Sequence, residues 1–325
     1  MKESIFLISV LLSLPLWGNS FFKKSNPQTF HINIKTTVFH KGAGLSKTDL
    51  FLACFTGNEY QKCIKRVVDS QAKIVNLGSA GDSCTYYNLA LGKKAELGKK
   101  VILQNKFTVQ VFDVSINLKA IDSIYSYNKT DPNYKNYIGS NFPFINVEQK
   151  QLMQISDLIW ESSEGVIDYA RNCYLYVAKT FKYGLPLSGF KSLVFTLKNR
   201  VGDCGNLSSV FITLLRMKGI PARHLMGFRP DGSLHVWADF YLANYGWIPI
   251  DVTYKHDYPQ GDYFGNIKFK NSGFIVQRGI GHEVSVLNKP IRITGLQTYS
   301  YQAKYSIPQK ANVIIDRLVT CQIKN

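Results

Sequence analysis

Three residues whose types together perform thiol chemistry lie close to one another in the chain: Cys204, His235 and Asp251. A thiolate can attack a carbonyl carbon, an imidazole can move the proton, and a carboxylate can orient the imidazole. All three residues lie between Gly202 and Tyr254. A few neighbouring elements of secondary structure must therefore bring them together.

The segment from Gly202 to Gly219 predicts a single helix with both ends marked. Asp203 is a favourable N-cap, and Gly219 followed by Pro221 ends the helix. Cys204 then lies in the first turn, where the helix dipole and the N–H groups favour a thiolate. Apolar residues at helical spacing form one face: Leu207, Val210, Phe211, Leu214 and Leu215. On this helix alone, an inert cysteine at a helix start is the more common alternative.

The residues that follow predict a β-hairpin that carries the imidazole and the carboxylate. Side chains alternate from Leu234 to Leu242, which places His235 and Trp237 on one face. If the hairpin turns at Asn244, Asp251 on the second strand lies opposite Trp237 and is the diagonal neighbour of His235. That position suits a carboxylate that accepts a hydrogen bond from one imidazole nitrogen, and it leaves the other nitrogen for the thiol.

Asp239 is a second carboxylate on the face that carries His235. It lies further along the same strand, so its side chain points parallel to His235 rather than toward it. Asp251 is therefore the predicted partner. A histidine on a strand is more often structural, but two carboxylates on one face favour a functional reading of His235.

The order of these motifs resembles the transglutaminase-like superfamily over roughly residues 150–270. The family joins a Cys at a helix start, an Arg-rich turn, a His-x-Trp strand and a Gly-Trp strand that ends in Asp. In this chain the four motifs are Gly202–Cys204, Arg216–Arg223, His235–Trp237 and Gly246–Asp251. Two positions depart mildly from the family pattern, with Asn206 in place of an acidic residue or Ser and Asp239 in place of Glu.

The resemblance implies an α+β fold with a papain-like transglutaminase core, in which the helix bearing the Cys packs on an antiparallel sheet. It implies Cys204 as nucleophile, His235 as general acid/base and Asp251 as orienter. The thiolate would attack a carboxamide or peptide carbonyl and form a thioester. The N–H of Cys204 is an expected oxyanion donor. Tyr183 and Trp237 are further candidates for contact with the substrate or the oxyanion. The alternative for Tyr183 is packing in the core, and the alternative for Trp237 is that it forms a wall of the site.

Three functional classes remain open from the sequence. A peptidase or amidase acting on peptide or cell-wall amides is the preferred reading. A protein-glutamine γ-glutamyltransferase, which cross-links side chains, is the second. A non-catalytic binding module that kept the fold is the third. The presence of all three triad residues speaks against the third, because a binding module does not need them.

The remaining chain predicts accessory structure around this core. We expect a β-sandwich-like N-terminal domain at 21–125, a linker at 126–148, the catalytic domain at 149–270 and a β-rich extension at 271–325. Strand patterns at Phe30–Phe39 and Lys106–Phe112, and helix patterns at Gln149–Trp160 and Gly165–Phe181, support this division. The histidines and cysteines lack metal-ligand spacing, so no metal or cofactor is expected.

Residues 1–20 have the pattern of a cleaved signal peptide: a short basic start, an apolar run and a small-residue cleavage site. An uncleaved anchor is the alternative, but the apolar run is short for a membrane span. The protein is therefore expected to be periplasmic or secreted and to lack a stable membrane span. Its net charge of +17 favours contact with anionic partners, although a basic solvated surface explains it equally well. Nothing in the sequence indicates nucleic-acid binding.

The cysteine count adds a constraint. Six cysteines are present, and an oxidising compartment would allow disulfides. If Cys204 is a nucleophile, five cysteines remain, so at most two disulfides can form. Cys173 lies on the apolar face of a predicted helix and is expected in the core.

Overall fold

Alternation of apolar and polar residues builds the long strands of the N-terminal half. In the segment around Phe30, every second side chain is buried, including Ile32 and Ile34, while His31 and Lys35 face solvent. This period of two is that of a strand with one face against a core. The computed structural model describes residues 21–324 except 41–45, 79–80, 92–99, 122–125, 185–188, 258–259, 287–288 and 307–312.

In the described part of the chain, six strands precede the segment predicted as a linker, and seven helices follow them. The strands are β1 (Phe22–His40), β2 (Ser46–Cys54), β3 (Gln61–Val67), β4 (Lys73–Leu77), β5 (Asp82–Leu91) and β6 (Val101–Ile116). The helices are α1 (Pro132–Lys135), α2 (Lys150–Glu161), α3 (Val166–Thr180), α4 (Leu193–Asn199), α5 (Cys204–Met217), α6 (Val252–Asp257) and α7 (Phe269–Ser272), with a 3₁₀ turn at Leu118–Ala120.

The later strands alternate with the helices and then follow them. They are β7 (Lys182–Tyr183), β8 (Val201–Gly202), β9 (Ala222–Phe228), β10 (Leu234–Leu242), β11 (Gly246–Ile250), β12 (Asn266–Ile267), β13 (Phe274–Arg278), β14 (His282–Val286), β15 (Lys289–Ile293), β16 (Tyr299–Tyr305) and β17 (Val313–Ile323).

Two antiparallel sheets form the N-terminal β-sandwich. One has the order β12-β6-β1-β17, with β3 also paired to β6, and the other has the order β16-β2-β5-β4. Apolar residues of both sheets share one core, for example Val38 and Leu103 with Leu50 and Leu89. Burial of such side chains stabilises the sandwich by roughly 1.5–3 kcal/mol per residue. The predicted sandwich is therefore confirmed.

Strands from the C-terminal part of the chain complete this sandwich. β17 pairs with β1 from Phe30↔Ile323 to His40↔Val313, and β16 pairs with β2. β12 adds an edge to β6. The predicted extension 271–325 thus supplies strands to several sheets, since β13 instead joins the sheet described next.

The second core has the predicted helix-on-sheet architecture. The antiparallel sheet has the order β11-β10-β9-β13, and α5 packs on β9 and β10 with α2, α3 and α4 around it. The predicted helix at Gly202–Gly219 is confirmed as α5, and Gly219 follows its end with φ 69°. We predicted one apolar face for this helix, but Gly205 to Arg216 are buried on all sides. The reason is that helices cover the side of α5 that faces away from the sheet.

The segment predicted as a linker packs closely against this core. Tyr137 and Ile145 are buried, and the Arg216 side chain donates to Gly139 O at 2.5 Å and to Asn141 Oδ1 at 2.7 Å. The signal-peptide prediction falls on residues 1–20, which lie outside the described part. Within the residues that the structure describes, no helix is long and apolar enough to cross a bilayer.

Candidate active site

Cys204 begins helix α5 and is held there by a reciprocal capping box. Asp203 Oδ1 accepts from Asn206 N at 3.0 Å, and Asn206 Oδ1 accepts from Asp203 N at 3.3 Å. Asn206 thereby performs the role that a glutamate or glutamine plays in other capping boxes. Gly202 allows this arrangement, because a Cβ there would lie 2.6 Å from Asn206 Cβ. Cys204 is partly exposed, whereas Gly205 and the following residues of the helix are buried.

His235 and Asp251 form a short, buried pair. His235 Nε2 lies 2.7 Å from Asp251 Oδ2, and both side chains are 2 % exposed. The strand register explains the contact, because Ala238 pairs with Ile250 and the next step along both strands places Asp251 opposite Trp237. The predicted hairpin, with a left-handed turn residue at Asn244 (φ 67°), is confirmed.

The imidazole of His235 bonds to the carboxylate and interacts electrostatically with the thiol. Burial alone would lower the pKa of His235, but the charge of Asp251 and the hydrogen bonds with Asp251 and Cys204 outweigh it and raise the pKa to about 9. Since Nε2 is bonded to Asp251, the other ring nitrogen, Nδ1, is the one available to the thiol. The structure thus brings together the three side chains that the sequence singled out.

Two aromatic rings enclose the imidazole. Trp237 is 1 % exposed, and its ring stacks on His235 with 5.5 Å between centroids. Tyr254 packs edge-on at 5.7 Å, and its N–H donates to Asp251 Oδ1 at 3.2 Å. Both rings exclude water from the His235–Asp251 pair, which strengthens the electrostatic interaction between them.

Tyr183 lies beside the residues that precede the cysteine. It pairs with Gly202 in the two-stranded parallel ladder of β7 and β8, and Gly184 N donates to Gly202 O at 3.1 Å. The ring is partly buried and packs against the core of the second domain. This position keeps Tyr183 near the start of α5.

Asp239 belongs to a different cluster. Its carboxylate accepts two hydrogen bonds from Arg223, both at 3.0 Å, and one from Tyr60 Oη at 3.1 Å. Arg223 also contacts Glu59 at 3.4 Å and lies 3.6 Å above the ring of Trp247. Asp239 therefore bonds to residues next to the N-terminal sandwich and not to His235.

All six cysteines carry free thiols. Burial raises the pKa of Cys84 and Cys173 to about 12 and that of Cys321 to about 11. Cys173 is fully buried in the core, as predicted. Among these thiols, Cys204 combines partial exposure with a neighbouring imidazole.

Two residues near the pair were not found from the sequence. Tyr254 contacts both His235 and Asp251, and its only local signal is its place at the end of the motif region. Gln297 Nε2 donates to His235 O and to Gly227 O, both at 2.8 Å, and so ties β10 to β9 near the imidazole. No local pattern marks Gln297, because it reaches the site from a distant part of the chain.

Comparisons with known proteins agree with this architecture. Residues 154–252 match the model of the transglutaminase-like superfamily. An uncharacterized protein of Haemophilus influenzae is 33% identical over 75 aligned positions, which cover 15% of this chain and 20% of the relative. The uncharacterized protein YebA of Bacillus subtilis is 27% identical over 122 positions, with 32% and 16% covered. The chain thus spans at most a fifth of the length of these curated relatives.

A solved structure extends the likeness beyond the matched domain. A protein of Cytophaga hutchinsonii, described as a candidate cysteine protease, superimposes with a TM-score of 0.62 at 14% identity. The superposition covers 94% of this chain and 93% of the other. At this identity the likeness concerns the fold, and it includes the β-rich N-terminal half. Residues 154–252, which contain Cys204, His235 and Asp251, are thus a transglutaminase-like domain.

Proposed function

We propose that the protein is an exported cysteine hydrolase that cleaves peptide or side-chain amide bonds through a thioester. The main supporting observation is that His235 bonds to the Asp251 carboxylate at 2.7 Å and interacts electrostatically with the Cys204 thiol. The transglutaminase-like domain at 154–252 and the position of Cys204 at a helix start support the same proposal. Export rests on the signal-peptide pattern of residues 1–20.

The first half of the reaction forms the acyl-enzyme. His235 takes the thiol proton, and Cys204 Sγ attacks the carbonyl carbon of the amide. The N–H of Cys204, at the start of α5, faces the developing oxyanion, since the first N–H groups of a helix have no acceptor within it. The tetrahedral intermediate collapses, the C–N bond breaks, and the imidazolium gives its proton to the leaving ammonia or amine.

The second half releases the acyl group. Neutral His235 removes a proton from water as the oxygen attacks the thioester carbon, and the C–S bond then breaks to give a carboxylic acid and the free enzyme. Asp251 keeps Nδ1 directed at the sulfur throughout and stabilises the imidazolium. An amine in place of water would give transfer instead, so addition of a primary amine during turnover separates hydrolysis from cross-linking.

Selective alkylation tests the proposed nucleophile. We expect iodoacetamide to modify Cys204 near neutral pH much faster than Cys63 and Cys321, which are also partly exposed but whose pKa values are raised by burial. His235→Ala should abolish the difference, because the thiolate loses its imidazolium partner. Mass spectrometry of the alkylated peptides measures each rate in the same sample.

The exposed His31→Ala variant is the matched control, since His31 lies on β1 and bonds to Thr108. It should alkylate like the wild type. If Cys204 reacts no faster than Cys321, or if His235→Ala leaves its rate unchanged, the proposed function is wrong.

The raised pKa of His235 predicts the pH profile. The imidazolium that protonates the leaving amine persists up to its pKa of about 9, so amide turnover should fall as the pH rises through about 9. Alkylation of Cys204 should not fall there, because it needs only the thiolate. Parallel pH profiles of the two rates check this, and a decline of both together would contradict it.

The same shift has a stability consequence with a defined sign. The pKa of His235 is raised from 6.5 to about 9 on folding, so the stabilisation is fully present below about pH 6.5. It is lost as the pH rises through about 9, and its size is on the order of 3 kcal/mol. The difference in unfolding free energy between wild type and His235→Gln should shrink over that interval.

A further inference from the structure

A groove runs from the wall of the candidate active site toward the N-terminal sandwich. It consists of one cavity of about 470 Å³ lined by Tyr254 and Tyr263 and a second of about 500 Å³ lined by Gln28 and Asp113. Lys268 and Lys270 line both cavities. Because the two cavities share these residues, we call them together the lysine groove.

Tyr254 connects the lysine groove to the triad. One side of its ring packs against His235, and its hydroxyl donates to Asn271 O at 3.1 Å on the groove side. Arg229 Nη2 donates to the same hydroxyl at 3.2 Å. Tyr254 therefore borders the candidate triad with its ring and the groove with its hydroxyl.

The two lysines project from an anchored segment. Phe269 between them is buried and packs against Phe30 and Phe274, with ring centroids 5.2 and 5.0 Å away. Both lysine side chains are exposed. The segment that carries the two ammonium groups is thus fixed by packing, although their own stems are solvated.

The charges in the groove do not cancel. Asp113 accepts from Phe269 N at 2.8 Å and from Asn26 Nδ2 at 2.7 Å. Asp262 pairs with Arg171 at 3.5 Å. Asp113 bonds to neutral donors and keeps its charge, so the two aspartates balance the two lysines of the lining. The positive excess comes from three further cations that contact lining residues, Arg171, Arg229 and Lys255. Among the described residues, no carboxylate forms an ion pair with Lys268 or Lys270.

We propose that the lysine groove binds an acidic peptide, and that carboxylates on the acyl-donor chain pair with Lys268 and Lys270. The assignment deepens the proposed function, on which its catalytic meaning rests, by naming the substrate class. Ammonium groups on flexible stems suit carboxylates at variable positions better than a fixed, bidentate site would. The tyrosine walls accept the apolar parts of the same peptide.

Binding to the Cys204→Ala protein tests the groove without requiring catalysis. The probes are short fluorescein-labelled peptides that differ only in carrying Glu or Gln at alternate positions, and fluorescence anisotropy gives Kd. We expect the Glu peptide to bind more tightly, and a Lys268→Gln/Lys270→Gln pair to weaken it by about tenfold. The Gln peptide should be unaffected, and salt at about 0.5 M should remove the difference.

A matched control separates the groove from the general basicity of the protein. Lys65 and Lys106 line another cavity of about 470 Å³ on the outer face of the sandwich, and both are exposed. Lys65→Gln/Lys106→Gln removes the same charge and should leave both Kd values unchanged. Equal weakening by the two double variants, or no weakening by the groove variant, overturns the assignment. A failed alkylation test with intact groove binding would overturn the proposed reaction alone.

Discussion

Replacement of Asp251 by Asn is expected to lower amide turnover by roughly 10³–10⁴-fold. The carboxylate accepts from His235 Nε2 at 2.7 Å and its charge raises the pKa of the imidazole. An asparagine amide keeps the shape but removes the charge. If its NH₂ faces Nε2, the imidazole proton moves to the nitrogen that must accept the thiol proton, and attack is blocked.

The measurement is the rate at which wild type and Asp251→Asn release new amines from a mixture of acidic peptides, with Cys204 alkylation as the second readout. Asp157→Asn is the control, because Asp157 pairs with Lys218 on the surface and its loss should change neither rate. Circular dichroism at the assay temperature verifies that Asp251→Asn is folded. Turnover within tenfold of wild type would show that Asp251 does not orient the imidazole.

The second large effect is on stability. Asp239→Ala should lower the free energy of unfolding by about 3–5 kcal/mol. It would leave the buried Arg223 guanidinium without the carboxylate that accepts two of its hydrogen bonds. Burial opposes the charge of Arg223, but the carboxylates of Asp239 and Glu59 outweigh it and raise the pKa of the guanidinium.

Urea unfolding at neutral pH measures this effect. Tyr60→Phe removes one hydrogen bond to the same carboxylate and should cost less, about 1–3 kcal/mol. Asp157→Ala removes an exposed ion pair and should cost at most about 1 kcal/mol. If Asp239→Ala lowers the free energy of unfolding no more than Asp157→Ala does, the contacts of Arg223 and Asp239 do not hold the sandwich to the sheet β11-β10-β9-β13.

The sequence predicts the local geometry of the candidate site well. A cap at Asp203, a stop at Gly219 and strict alternation after Leu234 are local signals, and each determines where one side chain points. The contact of His235 with Asp251 follows from them because the hairpin is short. The same reasoning excluded Asp239 as the partner of His235, but it predicted no partner for Asp239 itself.

Partners that lie far apart in the chain were beyond this reasoning. Tyr60 and Glu59 meet Arg223 and Asp239 across the two domains, and Gln297 reaches the backbone of His235. No local period specifies such a pairing. The burial of α5 from Gly205 to Arg216 also depends on what packs around the helix rather than on its own pattern.

The pairing of β1 with β17 has a consequence for the order of folding. The two strands are separated by more than 270 residues of chain, from His40 to Val313. During synthesis β1 can pair with β6 early, but its other edge stays open until residues 313–323 have been made. An open edge can recruit strands of other molecules. A chaperone would therefore matter most for the nascent chain, and truncation of the protein before residue 313 would leave that edge of β1 permanently exposed.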